Sequence, residues 1–91
     1  MAYWGTGRIG THQKVAYTGT AGTSTAVSSQ CYRVRIVLTS AGYVHIGTGA
    51  ATTSSTYMPA DSPEYFTITP GQTVSAIQVS AGGDLHVTEI T

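Results

Sequence analysis

Ninety-one residues carrying four Lys or Arg and four Asp or Glu make one domain with no net charge, which excludes the basic footprint that nucleic acid requires. Only 9% of the residues are charged, against about 25% in an ordinary globular domain, so much of the surface is expected to be covered by partners. The single cysteine, Cys31, excludes an internal disulfide, no apolar run is long enough for a membrane helix, no signal-peptide pattern is present, and no asparagine offers a glycosylation site.

In chain order, residues 1–12 read as a flexible N-terminal arm and residues 13–91 as a single β domain. The arm is apolar at Tyr3-Trp4 and glycine-rich from Gly5 to Gly10. Such a start stays loose unless something holds it, and Tyr3 and Trp4 are expected to pack on this subunit or a neighbour. Gly5-x-Gly7-x-x-Gly10 matches a dinucleotide fingerprint only as a string, because no strand precedes it and no acidic residue follows at the needed distance.

Gln13 to Thr18 forms a weak strand, and the small polar residues from Thr18 to Ser29 leave room for an edge strand. The clearest strand follows. Tyr32, Val34, Ile36 and Leu38 alternate with Arg33 and Arg35, so the apolar set faces inward and the arginines outward. Cys31, at its start, reads as a small buried hydrophobe. Thr39 to Gly42 turns the chain into Tyr43-Val44-His45-Ile46, with Val44 and Ile46 on the opposite side from Tyr43 and His45.

Gly47 to Ser62 is a long Gly, Ala, Thr and Ser segment without a period, and Tyr57 and Met58 are its anchors. Structureless segments of this length are usually functional or held by a partner. Glu64 to Ile68 is a strand with Phe66 and Ile68 inward. Pro70-Gly71 sets a type II turn, proline fixing φ and glycine accepting the positive φ that follows. In Thr73 to Val79 the alternation slips at Ala76-Ile77, which predicts a bulge. In the last strand Leu85 and Val87 face inward, with His86 and Thr88 outward. Ser40-Ala41-Gly42 and Ser80-Ala81-Gly82 both read as tight hairpin turns. About seven strands without helical periodicity predict an all-β fold, a small antiparallel β-sandwich or jelly-roll-like barrel.

No chemistry is legible in the side chains. His12, His45 and His86 lie on separate elements without metal-ligand spacing, and two aspartates are too few for a calcium loop. No nucleophile elbow exists, and four acids give no obvious carboxylate pair. The chain therefore reads as no enzyme, with no metal and no cofactor. The aromatics fit protein-interface anchors, or a sugar-stacking platform as the alternative. Tyr3, Trp4, Tyr57 and Met58 are the expected interface anchors, and Arg33 and Arg35 the orienting charges. The basic residues all lie at or before Arg35 and the acidic ones at or after Asp61; if the two halves form different faces, copies attract head to tail.

From Tyr32-Arg33-Val34-Arg35, through Pro59-Ala60 and Pro63-Glu64-Tyr65-Phe66, to Val74-x-x-Ile77-Gln78-x-Ser80-x-Gly82-Gly83-x-Leu85-x-Val87-Thr88-Glu89, the chain resembles a group of small virion structural proteins of tailed bacteriophages. The resemblance covers roughly residues 32–91, and its closing motif is structural in content. It implies a capsid decoration, or cement, protein that folds in the host bacterial cytoplasm and ends in the virion. Its implied partners are itself, as a dimer or trimer, and the major capsid protein, with no nucleic acid and no membrane. A head-tail or tail component is the alternative within that group, and a glycan-binding adhesion module the alternative outside it.

Overall fold

The computed structural model describes residues 9–29 and 31–90. Among them there is no helix, and eight strands form two four-stranded antiparallel sheets. They are β1 (Ile9–Tyr17), β2 (Gly22–Thr23), β3 (Arg33–Leu38), β4 (Gly42–Gly47), β5 (Thr56–Met58), β6 (Glu64–Thr67), β7 (Thr73–Gln78) and β8 (Gly83–Ile90). The first sheet runs β1-β8-β3-β6 and the second β2-β7-β4-β5.

The pairing is nested. β1 pairs with β8, β2 with β7, β3 with β6 and β4 with β5, every pair antiparallel. One long hairpin with its tip between β4 and β5, wrapped around a barrel, yields this set of partners. Wrapping adds the β3–β8 and β4–β7 ladders. This connectivity is a jelly roll, a double Greek key that puts most of the chain's turns between sheets rather than within one.

Alternation built the central strands as expected. Val34, Ile36 and Leu38 are fully buried on β3, as are Leu85 and Val87 on β8. Val44, Met58, Val74 and Ala76 face them from the second sheet, and Tyr17 and Ile68 complete the core. Each large apolar side chain buried this way contributes about 1.5–3 kcal/mol.

Several expectations are corrected. β5 lies inside the segment read as structureless. Its three residues are too few to show a period. β1 begins at Ile9, so residues 9–12, assigned to the arm, are part of a paired strand; Tyr3 and Trp4 lie outside the described residues. Tyr32 points away from the core and is 64% exposed, because β3 starts one residue later and Cys31 turns inward through an N–H bond to the Ser28 carbonyl (3.1 Å). The bulge at Ala76-Ile77 is absent: β7 runs beside β4 without a shift from Thr73 to Gln78. The register shift lies in β1, between Ile9 and His12.

The apparent slip in β7 comes from Ile77, an apolar residue on the outer face that it shares with Ser75, and Ser75 is itself buried on that face. Its hydroxyl accepts from the Ala51 N–H (2.8 Å) and the Thr23 hydroxyl (3.0 Å) and donates to the Gly22 carbonyl (3.2 Å). A polar residue thus pins β2 and the 48–55 segment onto β7.

Both Ser-Ala-Gly turns are arches. Ser40 to Gly42 carries the chain from β3 to β4, and Ser80 to Gly82 from β7 to β8, each across the two sheets. The Pro70-Gly71 turn is also an arch. Gly71 has φ 88°, and the Gln72 N–H closes on the Thr69 carbonyl at 3.1 Å, as a type II turn requires.

Candidate functional site: the open side of the sandwich

The two long sides of the sandwich differ. On the β1–β2 side the sheets touch backbone to backbone. A Cβ built on Gly22 would stand 2.1 Å from the Ala16 carbonyl oxygen, so only glycine fits there. The Gln13 side chain closes the same side. Its Oε1 accepts from the Thr25 N–H and hydroxyl, both at 2.9 Å.

The β5–β6 side is open. β5 pairs with β4 only as far as Thr56 opposite Val44, and β4 continues to Gly47. The gap that results is a cleft of about 310 Å³ between the sheets, floored by Val44, Ile46 and Phe66 and rimmed by His45, Ser54, Ser55 and Thr56. The His45 Nε2–H is held by the Thr48 carbonyl at 3.0 Å.

Exposed aromatics flank this side. Tyr57 on β5 is 56% exposed and meets Tyr43 edge-on, with ring centroids 6.1 Å apart. Tyr65 on β6 is 48% exposed and stands opposite Arg35 across the β3–β6 ladder. Tyr57 and Tyr65 belong to different sheets, so they do not form one continuous stacking row. Burial alternates along β3, which directs Arg33 and Arg35 to the outer face of the first sheet.

Of the residues expected at an interface, the structure therefore brings Arg35 and Tyr57 to the open side, with Arg33 one ladder step beyond Arg35. Met58 is corrected as a surface anchor: it is fully buried in the core of its own chain, while its neighbour Tyr57 takes the outward position. Tyr65 was missed, although the inward Phe66 and Ile68 already implied an outward Tyr65 and Thr67.

The outer face of the first sheet gathers two histidines that the sequence keeps far apart. His12 and His86 stack at 5.3 Å, with His86 Nδ1 3.2 Å from His12 Nε2, and His12 Nδ1 2.9 Å from the Thr88 hydroxyl. Among the described residues no group of three or more His, Cys, Asp or Glu side chains converges. Beside the pair, Lys14 approaches Asp84 at 4.0 Å, an exposed contact worth under about 1 kcal/mol. Here a basic residue from the early part of the chain meets an acidic one from the late part, because β1 and β8 are neighbours. Order along the chain is therefore not order in space, and at this pair the two halves do not separate by sign.

Another late acid, Glu89, is buried and accepts from the Ser28 N–H (3.2 Å) and hydroxyl (2.8 Å). Cys31 lies near it, and burial first, then the Glu89 charge, pushes its thiol above the ordinary 9.0.

The arrangement defines a jelly-roll sandwich with one sealed side and one open side. Comparison with family models, curated proteins and solved structures gives no match to this chain.

Proposed function

We propose that this chain is a non-enzymatic structural protein of a phage particle, which binds copies of itself and the major capsid protein and braces the shell as a decoration protein. The observation that carries the assembly part is the open side. Two exposed tyrosines sit on the short edge strands β5 and β6, with Arg35 on the next strand in and an uncovered cleft between the sheets, whereas the opposite side is sealed. Tyrosine and arginine are the residues that anchor interfaces, and sheet edges offer main-chain pairing. The virion part is supported by the resemblance carried by residues 32–91; the jelly roll, shared by viral capsid and lectin domains, supplies only analogy.

Quantitative mass spectrometry of purified particles tests the reading. A copy number that scales with the major capsid subunit supports a shell protein. A copy number matching a single tail or connector ring moves the protein to that location. Absence from the particle overturns the reading. A glycan array tests the adhesion alternative, which a strong sugar-specific signal would favour.

A further inference from the structure

The outer edge of β6 carries main-chain groups of definite number and direction. The Ile68 N–H bonds to the Tyr32 carbonyl at 3.0 Å, so residues 32 and 68 form a hydrogen-bonded pair. Hydrogen-bonded and non-bonded pairs alternate along an antiparallel ladder, and the register Arg33↔Thr67, Val34↔Phe66, Arg35↔Tyr65 then turns Phe66 toward β3. Tyr65 and Thr67 aim their N–H and C=O groups outward. β6 ends its sheet, and among the described residues nothing pairs with those four groups.

Edge strands are normally blunted by lysine, a bulge or a covering loop. β6 is short, opens on the charged Glu64 and is bracketed by Pro63 and Pro70, but among the described residues no lysine, bulge or covering loop guards Tyr65 to Thr67. Its outward side chains are Tyr65 and Thr67, and its inward Phe66 stands at the cleft.

We propose that the occupant of this edge is a second copy of the chain, paired antiparallel through β6, with Tyr65 opposite Thr67 of the second copy. The first sheet then continues across a two-fold axis as eight strands. This register satisfies all four outward groups on each copy. The register with Tyr65 opposite Tyr65 would instead bring Pro63, which has no N–H, opposite Thr67. The chosen pairing also sets Phe66 against its own symmetry mate over the two clefts. The contact is isologous, so it closes and leaves no new edge.

The inference rests on the assembly reading and names its first partner, and the two can fail separately. Sedimentation of the purified full chain across a wide concentration range is expected to show a monomer–dimer equilibrium. Thr67→Lys puts a charge on the edge without touching the core and should weaken the dimer about tenfold or more, the equivalent of one or two net hydrogen bonds. In a Cys31→Ala background, Phe66→Cys should cross-link on mild oxidation, since non-bonded partners lie about 4.5 Å apart. Tyr65→Cys should not, because its symmetry mate lies more than about 7 Å away. A monomer at all concentrations, a trimer, a dimer indifferent to Thr67→Lys, or cross-linking through Tyr65→Cys instead overturns the proposal. If Phe66→Cys does not fold, the Thr67→Lys comparison decides. A monomer that still copurifies with particles sinks the pairing alone, and a dimer absent from particles sinks the virion reading alone.

Discussion

Tyr17 and Ser40 are joined twice across the fold. The phenol at the end of β1 donates to the Ser40 carbonyl and accepts from the Ser40 N–H at 3.2 Å. The ring is buried, so the link ties β1 to the arch between β3 and β4. Tyr17→Phe keeps the packing and strips the Ser40 main chain of its partner. Urea unfolding should show a loss of about 1–3 kcal/mol.

The same phenol predicts alkaline behaviour. Burial raises it above the ordinary 10.0, Asp84 adds to the rise, and the bond to Ser40 opposes it. Below pH 10 the full stability is present. Above it the unfolded phenol loses its proton while the folded one keeps it, so stability falls as pH climbs toward the folded value. Tyr17→Phe should flatten that decline in a series of unfolding curves, and an equal slope in both proteins would contradict the assignment.

Cys31 is fully buried, its Sγ donating to the Arg33 carbonyl at 3.3 Å. With the thiol held above its ordinary range, an alkylating reagent should modify it only at the rate of unfolding. Mass spectrometry after timed exposure checks this. Prompt labelling of the native protein would contradict it.

Ser75→Ala should destabilise the protein although it removes one oxygen atom. The buried Ala51 N–H loses its acceptor and the Thr23 hydroxyl its partner. The expected cost is about 1–3 kcal/mol, with hydrogen exchange rising first in the 48–55 segment.

Tyr57 and Met58 are neighbours with opposite roles. Met58→Ala opens the core and should cost about 2–5 kcal/mol. Tyr57→Ala touches the surface and should stay within about 0.5 kcal/mol in thermal unfolding, while weakening association with particles. A reversal of the two effects would place β5 in the wrong register.

Gly22 and Gly71 separate two kinds of glycine requirement. Gly71→Ala meets open space and bears only the strain of φ 88°, about 1–2 kcal/mol. Gly22→Ala must push β2 off the Ala16 backbone and should cost more, with the loss visible in the same melting experiment.

The sequence was most legible where a strand was long and half of it apolar. Val34, Ile36, Leu38, Leu85 and Val87 declared their faces by alternation, and Pro70-Gly71 declared its turn type. What it could not show was the destination of each turn. The same Ser-Ala-Gly chemistry serves a hairpin or an arch, and the choice depends on partners far along the chain. β5 escaped because three residues carry no period. The burial of Ser75 left no mark in the sequence because it is secured by hydrogen bonds to Gly22, Thr23 and Ala51 rather than by apolar character. Met58 is unreadable because an exposed and a buried apolar residue look alike in a short polar segment, whereas the outward Tyr65 was legible from the inward Phe66 and Ile68.

The outermost pair of the nested ladder sets Ile9 beside Ile90, at the opposite margin of the first sheet from β6. The start of β1 and the end of β8 therefore share a single corner of the fold. On the pairing proposed through β6, that corner lies across the sheet from the seam between copies.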